Sequence, residues 1–518
     1  MRSLVTLPVA LPLLAAALSM VLHRRPQAQR ALSVSVLVAC LALTVAVLVQ
    51  VNDQGPVAIQ VGAWPAPIGI SLVADMFAAL MLVVSALVVL AVLVYSIGSP
   101  RTADDRLFFH PVYLILAAGV SASFLAGDLF NLFVAFEVML SASYVLITLG
   151  GGRDQVRTGM TYVVISLVAS TFFVTAVGLI YAATGTVNMA DLAGRIGELP
   201  QPVRHGLGLL LLVVFGVKAA IFPLFFWLPD SYPTAPTPVT AIFAGLLTKV
   251  GVYAIIRTQT LMFPTDGGPS TVLLVLAGLT MVVGVLGAIA QNDIKRLLSF
   301  HIVSQIGYMI MGVGLFSVAG LAGSILFMVH QIIVKTTMFL VGGLIENATG
   351  TGALSRLGGL LHRTPLLAVL FMVPALSLAG VPPSSGFVGK LALVNAGVEI
   401  ERYGIVAVSL AVSLLTLFSM TKIWAAAFWG QPGEGGPGAG GPGAAGTGTV
   451  LGSGAGGTAT VAAAGRISLP PMMTVPTVVL IVASLAVAVA GAPLYDMAVD
   501  AATVLADPAP YIEAVLGR

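Results

Sequence analysis

The chemistry in this sequence is concentrated in a few ionisable side chains placed where a bilayer would be. Four lysines (Lys218, Lys249, Lys335 and Lys390) and one glutamate (Glu137) lie inside long apolar runs rather than between them. A charged side chain at the bilayer centre costs about 2.5–3.5 kcal/mol even on the lenient insertion scale, so such groups need water, partners or neutralisation. Lysine suits proton transfer there, because burial disfavours the ammonium form and brings the neutral amine within reach. A glutamate near a lysine stabilises the charged amine, and separating the two favours proton release. A row of these groups can pass charge along the membrane by alternating partners. Snorkelling to the headgroups is the competing explanation. It fails for Glu137, Lys218 and Lys249, deep in their runs, and stays open for Lys335 and Lys390, nearer the ends of theirs.

The neighbours of these residues extend the pattern. Glu137 sits in GDLFNLFVAFEVMLSASYVLITLG, with Ser141, Tyr144 and Thr148 at helical spacing on its face. Lys249, in GLLTKVGVYAIIR, is followed at the same spacing by Tyr253 and Arg257. Such hydroxyls line a hydrated passage or bond across tightly packed helices. Pro223 follows Lys218 closely and removes the N–H that the Ala219 carbonyl would use, which breaks the helix. Pro374, Pro382 and Pro383, with Gly380 and Gly386, interrupt a second helix ahead of Lys390. Two Pro-broken, lysine-bearing helices are the pattern of repeat-built transporters, where freed carbonyls face water or protein. In MVHQIIVKTTMFLVGG, His330 and Lys335 are about 140° apart on a regular helix, so one shared path requires local unwinding such as a π-bulge. An imidazole titrates near neutrality and suits a proton relay, although a lone membrane histidine also serves as a packing residue.

The elements that must position these groups follow from composition. Of 518 residues, 58% are hydrophobic and 8% charged, and the mean hydropathy is +1.05. A soluble domain carries about a quarter charged residues, so this is an integral, all-α polytopic membrane protein. Apolar runs predict fourteen helices, at 4–22, 31–51, 71–95, 110–126, 129–149, 158–182, 206–227, 237–257, 271–290, 299–317, 321–346, 365–397, 404–429 and 472–491. The seventh and twelfth are the Pro-broken ones. With the first helix entering from outside, the inner loops hold Arg24, Arg25, Arg30, Arg101, Arg106, Arg153, Arg157, Lys295, Arg296, Arg356, Arg363 and Arg466. The outer segments hold Arg2, Arg195, Arg204, Arg257, Arg402 and Arg518. The positive-inside rule then places both termini outside. Residues 430–471 read as a Gly/Ala/Pro-rich flexible inner loop. The acidic tail after the last span predicts a short interfacial helix without evident chemistry.

Several functions are excluded. No P-loop, CxxC, HExxH or dinucleotide fingerprint occurs, so no nucleotide, haem, iron–sulfur or metal cofactor is expected. Cys40 is the single cysteine, which forbids an internal disulfide. A net charge of +3 gives no reason to expect nucleic acid.

Four stretches then carry a resemblance: the helix around Glu137, FPLFFWLPDSYPTAP after Lys218, AIAQNDIKRLLSFHIVSQIGYMIMG at 288–312, and SLAGVPPSSGFVGK at 377–390. Together they resemble the antiporter-like subunits shared by respiratory complex I and the multisubunit Mrp-type cation/proton antiporters, over about residues 70–425. AIFAGLLTKVGVYAIIR and HQIIVKTTMFLVGGLIE are most similar to the Mrp branch, and Tyr232 stands where complex I relatives commonly carry histidine. The resemblance implies three N-terminal helices (1–109), two inverted five-helix repeats (110–257 and 258–429), and a last helix with its tail (472–518). It implies a proton route through Glu137, Lys218, Lys249, His330, Lys335 and Lys390, with the glutamate paired to Lys218. It also implies a multi-pass subunit of a prokaryotic cell membrane, working with other subunits of a hetero-oligomer on protons and a monovalent cation, sodium. A proton-pumping subunit of NADH–quinone oxidoreductase is the alternative the sequence leaves open.

Overall fold

The computed structural model of the chain describes residues 2–99, 108–263, 270–429 and 468–517. The Gly-rich stretch from 430 to 467 lies outside the described residues. The first helices are α1 (Leu7–Val21) and α2 (Pro26–Gln54), and a short antiparallel hairpin of β1 (Val57–Gln60) and β2 (Ser71–Ala74) follows. Hydrophobicity alone runs the third span from residue 71. Residues 71–74 instead pair as β2, and α3 (Met76–Gly98) starts where Asp75 caps it by accepting from the Ala78 N–H. Next come α4 (Phe109–Leu125), α5 (Leu129–Thr148), α6 (Arg153–Thr184), the short α7 (Met189–Arg195) and α8 (Gln201–Ala219). After the break lie α9 (Trp227–Ser231) and one span formed by α10 (Thr237–Ile242), a π-helical turn (Phe243–Leu247) and α11 (Thr248–Leu261). The chain continues through α12 (Thr271–Ile289), α13 (Ile294–Leu315), α14 (Val318–Thr349), the short α15 (Leu360–Arg363), α16 (Pro365–Ala379), α17 (Ser385–Glu399) and α18 (Tyr403–Trp424). It ends with α19 (Pro471–Val489), α20 (Gly491–Ala506) and α21 (Ala509–Leu516).

Among the described residues, 12 helices are long and apolar enough to cross a membrane, and α4 and α16 are shorter apolar helices. Several expected limits move, three of them at the breaks and at a cap. The seventh span stops at Ala219, not 227; the tenth begins at Ile294, because Asp293 caps it; and the twelfth is two helices. Pro374 lies inside continuous α16, so the interruption is confined to Gly380–Ser384. The tail forms two helices rather than one, and both pack onto the protein.

The helix α14 is the spine. Its apolar window is 100% buried, and α3, α10, α13, α16, α17, α19 and α20 all pack against it. Two parts of the chain repeat the same local geometry. Asp128 caps α5 and Asp293 caps α13. The Thr184 hydroxyl donates to the Thr186 carbonyl at 3.1 Å, as Thr349 does to Thr351 at 3.0 Å, each across a glycine in the left-handed region. The breaks match as well: the Ile221 N–H donates to Gly216 and the Val381 N–H to Leu376, both at 3.0 Å. Asp128 and Thr184 lie at the hairpin end of the bundle, and Asp293 and Thr349 at the other, here called the Lys295 end. Both chain ends pack against β1.

Candidate functional site

Three helices meet around the first lysine. Phe136 of α5, Phe173 of α6 and Phe215 of α8 form an aromatic wedge, with centroids 5.0–6.1 Å apart. The wedge fixes the rotation of each helix and thereby the polar residues beside it. Lys218 Nζ donates to Ser170 Oγ at 2.9 Å and to the Ser166 carbonyl at 3.1 Å. Ser170 in turn donates to Glu137 Oε1. The acid and the amine are therefore joined through one hydroxyl rather than by direct contact. Ser166 and Ser170 are one turn apart in SLVAST, a spacing that marks a polar face.

A void of about 10 Å³ touches Lys218, Ser166, Tyr162, Trp227 and Leu247, room for about one water. Leu247 belongs to the π-helical turn, and that turn leads to Lys249. Lys249 Nζ donates to the Ala244 carbonyl within the turn. A Cβ at Gly245 would lie 2.2 Å from Thr336 Oγ1 of α14, so only glycine lets the turn approach the residue beside Lys335. The local unwinding that a shared path for His330 and Lys335 would require is absent from α14, and the π-helical turn lies in the neighbouring span. Around those two residues α14 is regular, and they leave it in different directions.

Lys335 is fully buried and has no hydrogen-bond partner among the described residues. It lies within electrostatic reach of both Lys249 and Lys390. Lys390 is placed by the second break: its Nζ donates to the Leu378 and Ala379 carbonyls at 3.1 and 3.0 Å, the open C-terminal end of α16. It also sits 4.9 Å from the Tyr308 ring centroid. Gly380, at φ +85°, leaves room for this, because a Cβ there would lie 2.8 Å from Lys390 Cδ. His330 Nδ1 is 2.8 Å from Ser385 Oγ, and that hydroxyl also meets Ser377 at 3.0 Å and Ser484 at 2.9 Å. His301, absent from the residues that sequence singles out, is buried within reach of Lys335 and Lys390 and bonds Ser419. Its signal is a histidine in an otherwise apolar run, SFHIV.

Other expected residues lie elsewhere. Ser141 is exposed on the outer face of α5, and Ser143 instead takes the inner position, bonding Tyr162 at 2.8 Å. Tyr144 packs edge-on against Tyr162, while the Thr148 hydroxyl is satisfied by the Tyr144 carbonyl of its own helix. Tyr253 donates to the Phe124 carbonyl at 2.7 Å and accepts from Arg257 at 3.0 Å, so its hydroxyl is committed to those partners rather than to Lys249. Arg257, counted from sequence as a loop cation, is buried and grips Asp75 with two hydrogen bonds of 2.6 and 2.8 Å. The rings of Phe77, Tyr253 and Tyr511 surround its guanidinium at 5.6, 5.3 and 5.1 Å. The full desolvation penalty of a buried arginine is offset only by such a complete set of partners. Among the described residues, no group of three or more His, Cys, Asp or Glu side chains could hold a metal ion.

Interrupted helices packed around buried ionisable groups, in a chain with 12 helices long and apolar enough to cross a membrane among the described residues, are the architecture of multi-pass transporters. Residues 126–416 match the family described as NADH:quinone oxidoreductase/Mrp antiporter, transmembrane, and the chain belongs to that family. It is 48% identical to the D subunit of the Na(+)/H(+) antiporter of Alkalihalophilus pseudofirmus, over 83% of this chain and 88% of the relative. It is 40% identical to the corresponding Na(+)/H(+) antiporter protein of Bacillus subtilis, with the same coverage. A chain in the structure of the Mrp complex from Dietzia sp. superposes with a TM-score of 0.89 at 37% identity, covering 100% of this chain and 99% of that one.

Proposed function

We propose that this chain is the proton-translocating membrane subunit of a multisubunit sodium/proton antiporter, with protons moving between Glu137, Lys218, Lys249, Lys335, His330 and Lys390. The Glu137–Ser170–Lys218 bridge is the observation that carries this reading. The serine hydroxyl donates to the carboxylate and accepts from the ammonium, so the pair is coupled without being locked in a tight ion pair. A water in the adjoining void would carry the proton lost by Lys218 toward Lys249. Lys335, with no acceptor of its own among the described residues, would be loaded and emptied according to the charges on Lys249 and Lys390. The carbonyl end of α16 would hold the terminal ammonium on Lys390.

The matching caps and breaks support two inverted repeats, 110–257 and 258–429, with the spine helix in the second. The Lys/Arg count supports a cell-membrane orientation with both termini outside and the Lys295 end in the cytoplasm. The relatives, named as antiporter subunits, support partner subunits and sodium as the exchanged cation. The test is sodium-driven proton exchange in vesicles containing the whole complex. Glu137→Ala or Lys218→Ala should abolish exchange while the complex still assembles, and unchanged exchange in either variant refutes the pathway.

A further inference from the structure

A second cavity lies at the Lys295 end, apart from the residues above. It has a volume of about 190 Å³ and is lined by Tyr95, Thr237, Lys295, Gly343, Glu346 and Asn347 among others, room for several waters. Lys295 Nζ is 2.8 Å from Glu346 Oε2, with the two side chains 11% and 22% exposed, so solvent reaches this carboxylate. The Thr237 hydroxyl donates to the same oxygen at 3.4 Å. Gly343 is in the lining, and Gly352 stands beside the carboxylate. A Cβ at Gly352 would lie 3.0 Å from Glu346 Oε1 and 2.9 Å from Asp293 Oδ2, while a Cβ at Gly343 would lie 2.5 Å from the Tyr95 hydroxyl. Tyr95 donates to the Leu340 carbonyl at 3.0 Å, which puts a polar group a further turn along α14.

The spine helix connects this cavity to the buried amines. Glu346 and Lys335 are eleven residues apart on α14, three turns, which sets them on one face about 16 Å apart. Gly342, on that same face, packs against the buried Ile294 and Leu298 side chains of α13, so water must enter between these apolar groups for a proton to pass.

We propose that Glu346 is the proton-loading residue at the Lys295 end, exchanging protons with water in this cavity and passing them to Lys335; the inference rests on the pathway reading above. The carboxylate takes a proton from cavity water, becomes the neutral acid and releases Lys295. The proton then moves through water to the neutral amine of Lys335, giving its ammonium, and the restored carboxylate recaptures Lys295. Lys295 and Asp293, from α13 and its cap, and Tyr95 of α3 are the titratable groups facing Glu346. Lys295 is therefore the counter-charge that must swing away at each cycle.

The test uses the complete complex in a Cys40→Ala background, since Cys40 is the only native cysteine. Thr237→Cys should react with a membrane-impermeant cationic thiol reagent added at the Lys295 face and not at the hairpin face. No reaction at the Lys295 face, or reaction from the hairpin face, overturns the hydrated cavity. Exchange per assembled complex should fall at least tenfold in Glu346→Gln and recover in Glu346→Asp. A Gln variant that only lowers the amount of complex, with normal exchange in what remains, reduces the pair to a structural strut and overturns the proposal. If Glu346→Gln alone does not assemble, Lys295→Met/Glu346→Gln removes both charges and should assemble while staying slow; normal exchange there is equally fatal. Lys335→Ala separates the two readings. Exchange retained in that variant defeats the pathway as a whole, whereas exchange lost there but normal in Glu346→Gln defeats only the role of Glu346.

Discussion

The two broken helices share a backbone and differ in where the lysine stands. In the first, Lys218 lies on the last turn before the break and is held by α6, through Ser166 and Ser170, with Glu137 behind. In the second, Lys390 lies after the break and reaches back to the carbonyls that the break itself exposes. One amine is therefore balanced by a side-chain carboxylate that can itself change charge. The other is balanced by peptide dipoles that cannot. The same interruption thus yields a site whose occupancy another proton can switch and a site whose affinity is fixed by the fold. In the relay proposed above, the first would be the switchable start and the second the constant end.

This contrast can be broken most severely at its carboxylate side. Removing Lys218 should reduce sodium-driven exchange to background. Ser170→Ala should fall between that and the wild type, because one hydrogen bond to charged groups is worth about 1.5–3 kcal/mol and a water can partly replace it. We expect roughly a tenfold loss in exchange, and a loss equal to that of Lys218→Ala would show the serine to be more than a bridge.

The break itself gives a smaller, signed pair of effects. Ala220 occupies the left-handed region at φ +61°, where Gly380 does so at φ +85°. A non-glycine residue there costs about 1–2 kcal/mol. Ala220→Gly should therefore raise the thermal stability of the purified complex slightly. Gly380→Ala should lower it and also weaken transport, since its methyl group would press on Lys390. Opposite signs for the two substitutions sharpen the comparison, and equal signs would end it.

The last effect, on stability alone and not on exchange, concerns the cap of α5. Burial pushes the Asp128 carboxyl up to about 6, against the pull of the Asn131, Ser71 and Phe130 backbone N–H groups. A carboxyl raised on folding binds its proton more tightly in the folded state. Its stabilising contribution is therefore complete below its unfolded value near 4, and is lost as pH rises through about 6. Asp128→Asn keeps the cap without the charge. It should raise thermal stability at pH 7.5 by about 1–3 kcal/mol and leave it unchanged at pH 4. Melting curves at the two pH values check this.

The sites are legible in sequence to the extent that they violate local expectation. A lysine in an apolar run and a proline in a span each stand out without any knowledge of neighbours, and the breaks at Pro223 and Pro382–Pro383 follow from that alone. What stays hidden depends on the register between helices. Helical spacing from Glu137 favours Ser141 over Ser143, yet the rotation of α5 against α6 sends Ser141 outward and Ser143 to Tyr162. The spacing of His330 and Lys335 shows only that a shared path would need unwinding there, and says nothing of Gly245, whose close approach to Thr336 accompanies the π-helical turn in the neighbouring span. Arg257 reads as a loop cation because Asp75, 182 residues earlier, gives no local hint that it waits for a guanidinium.

Both ends of the chain rest on one four-residue strand: the segment before α1 packs on β1, and Gln60 of β1 donates to the Val515 carbonyl at 3.3 Å. The polypeptide is thus nearly a closed ring. A brief linker from residue 517 to residue 2 would therefore join two segments already anchored on the same strand and leave the described helices in place.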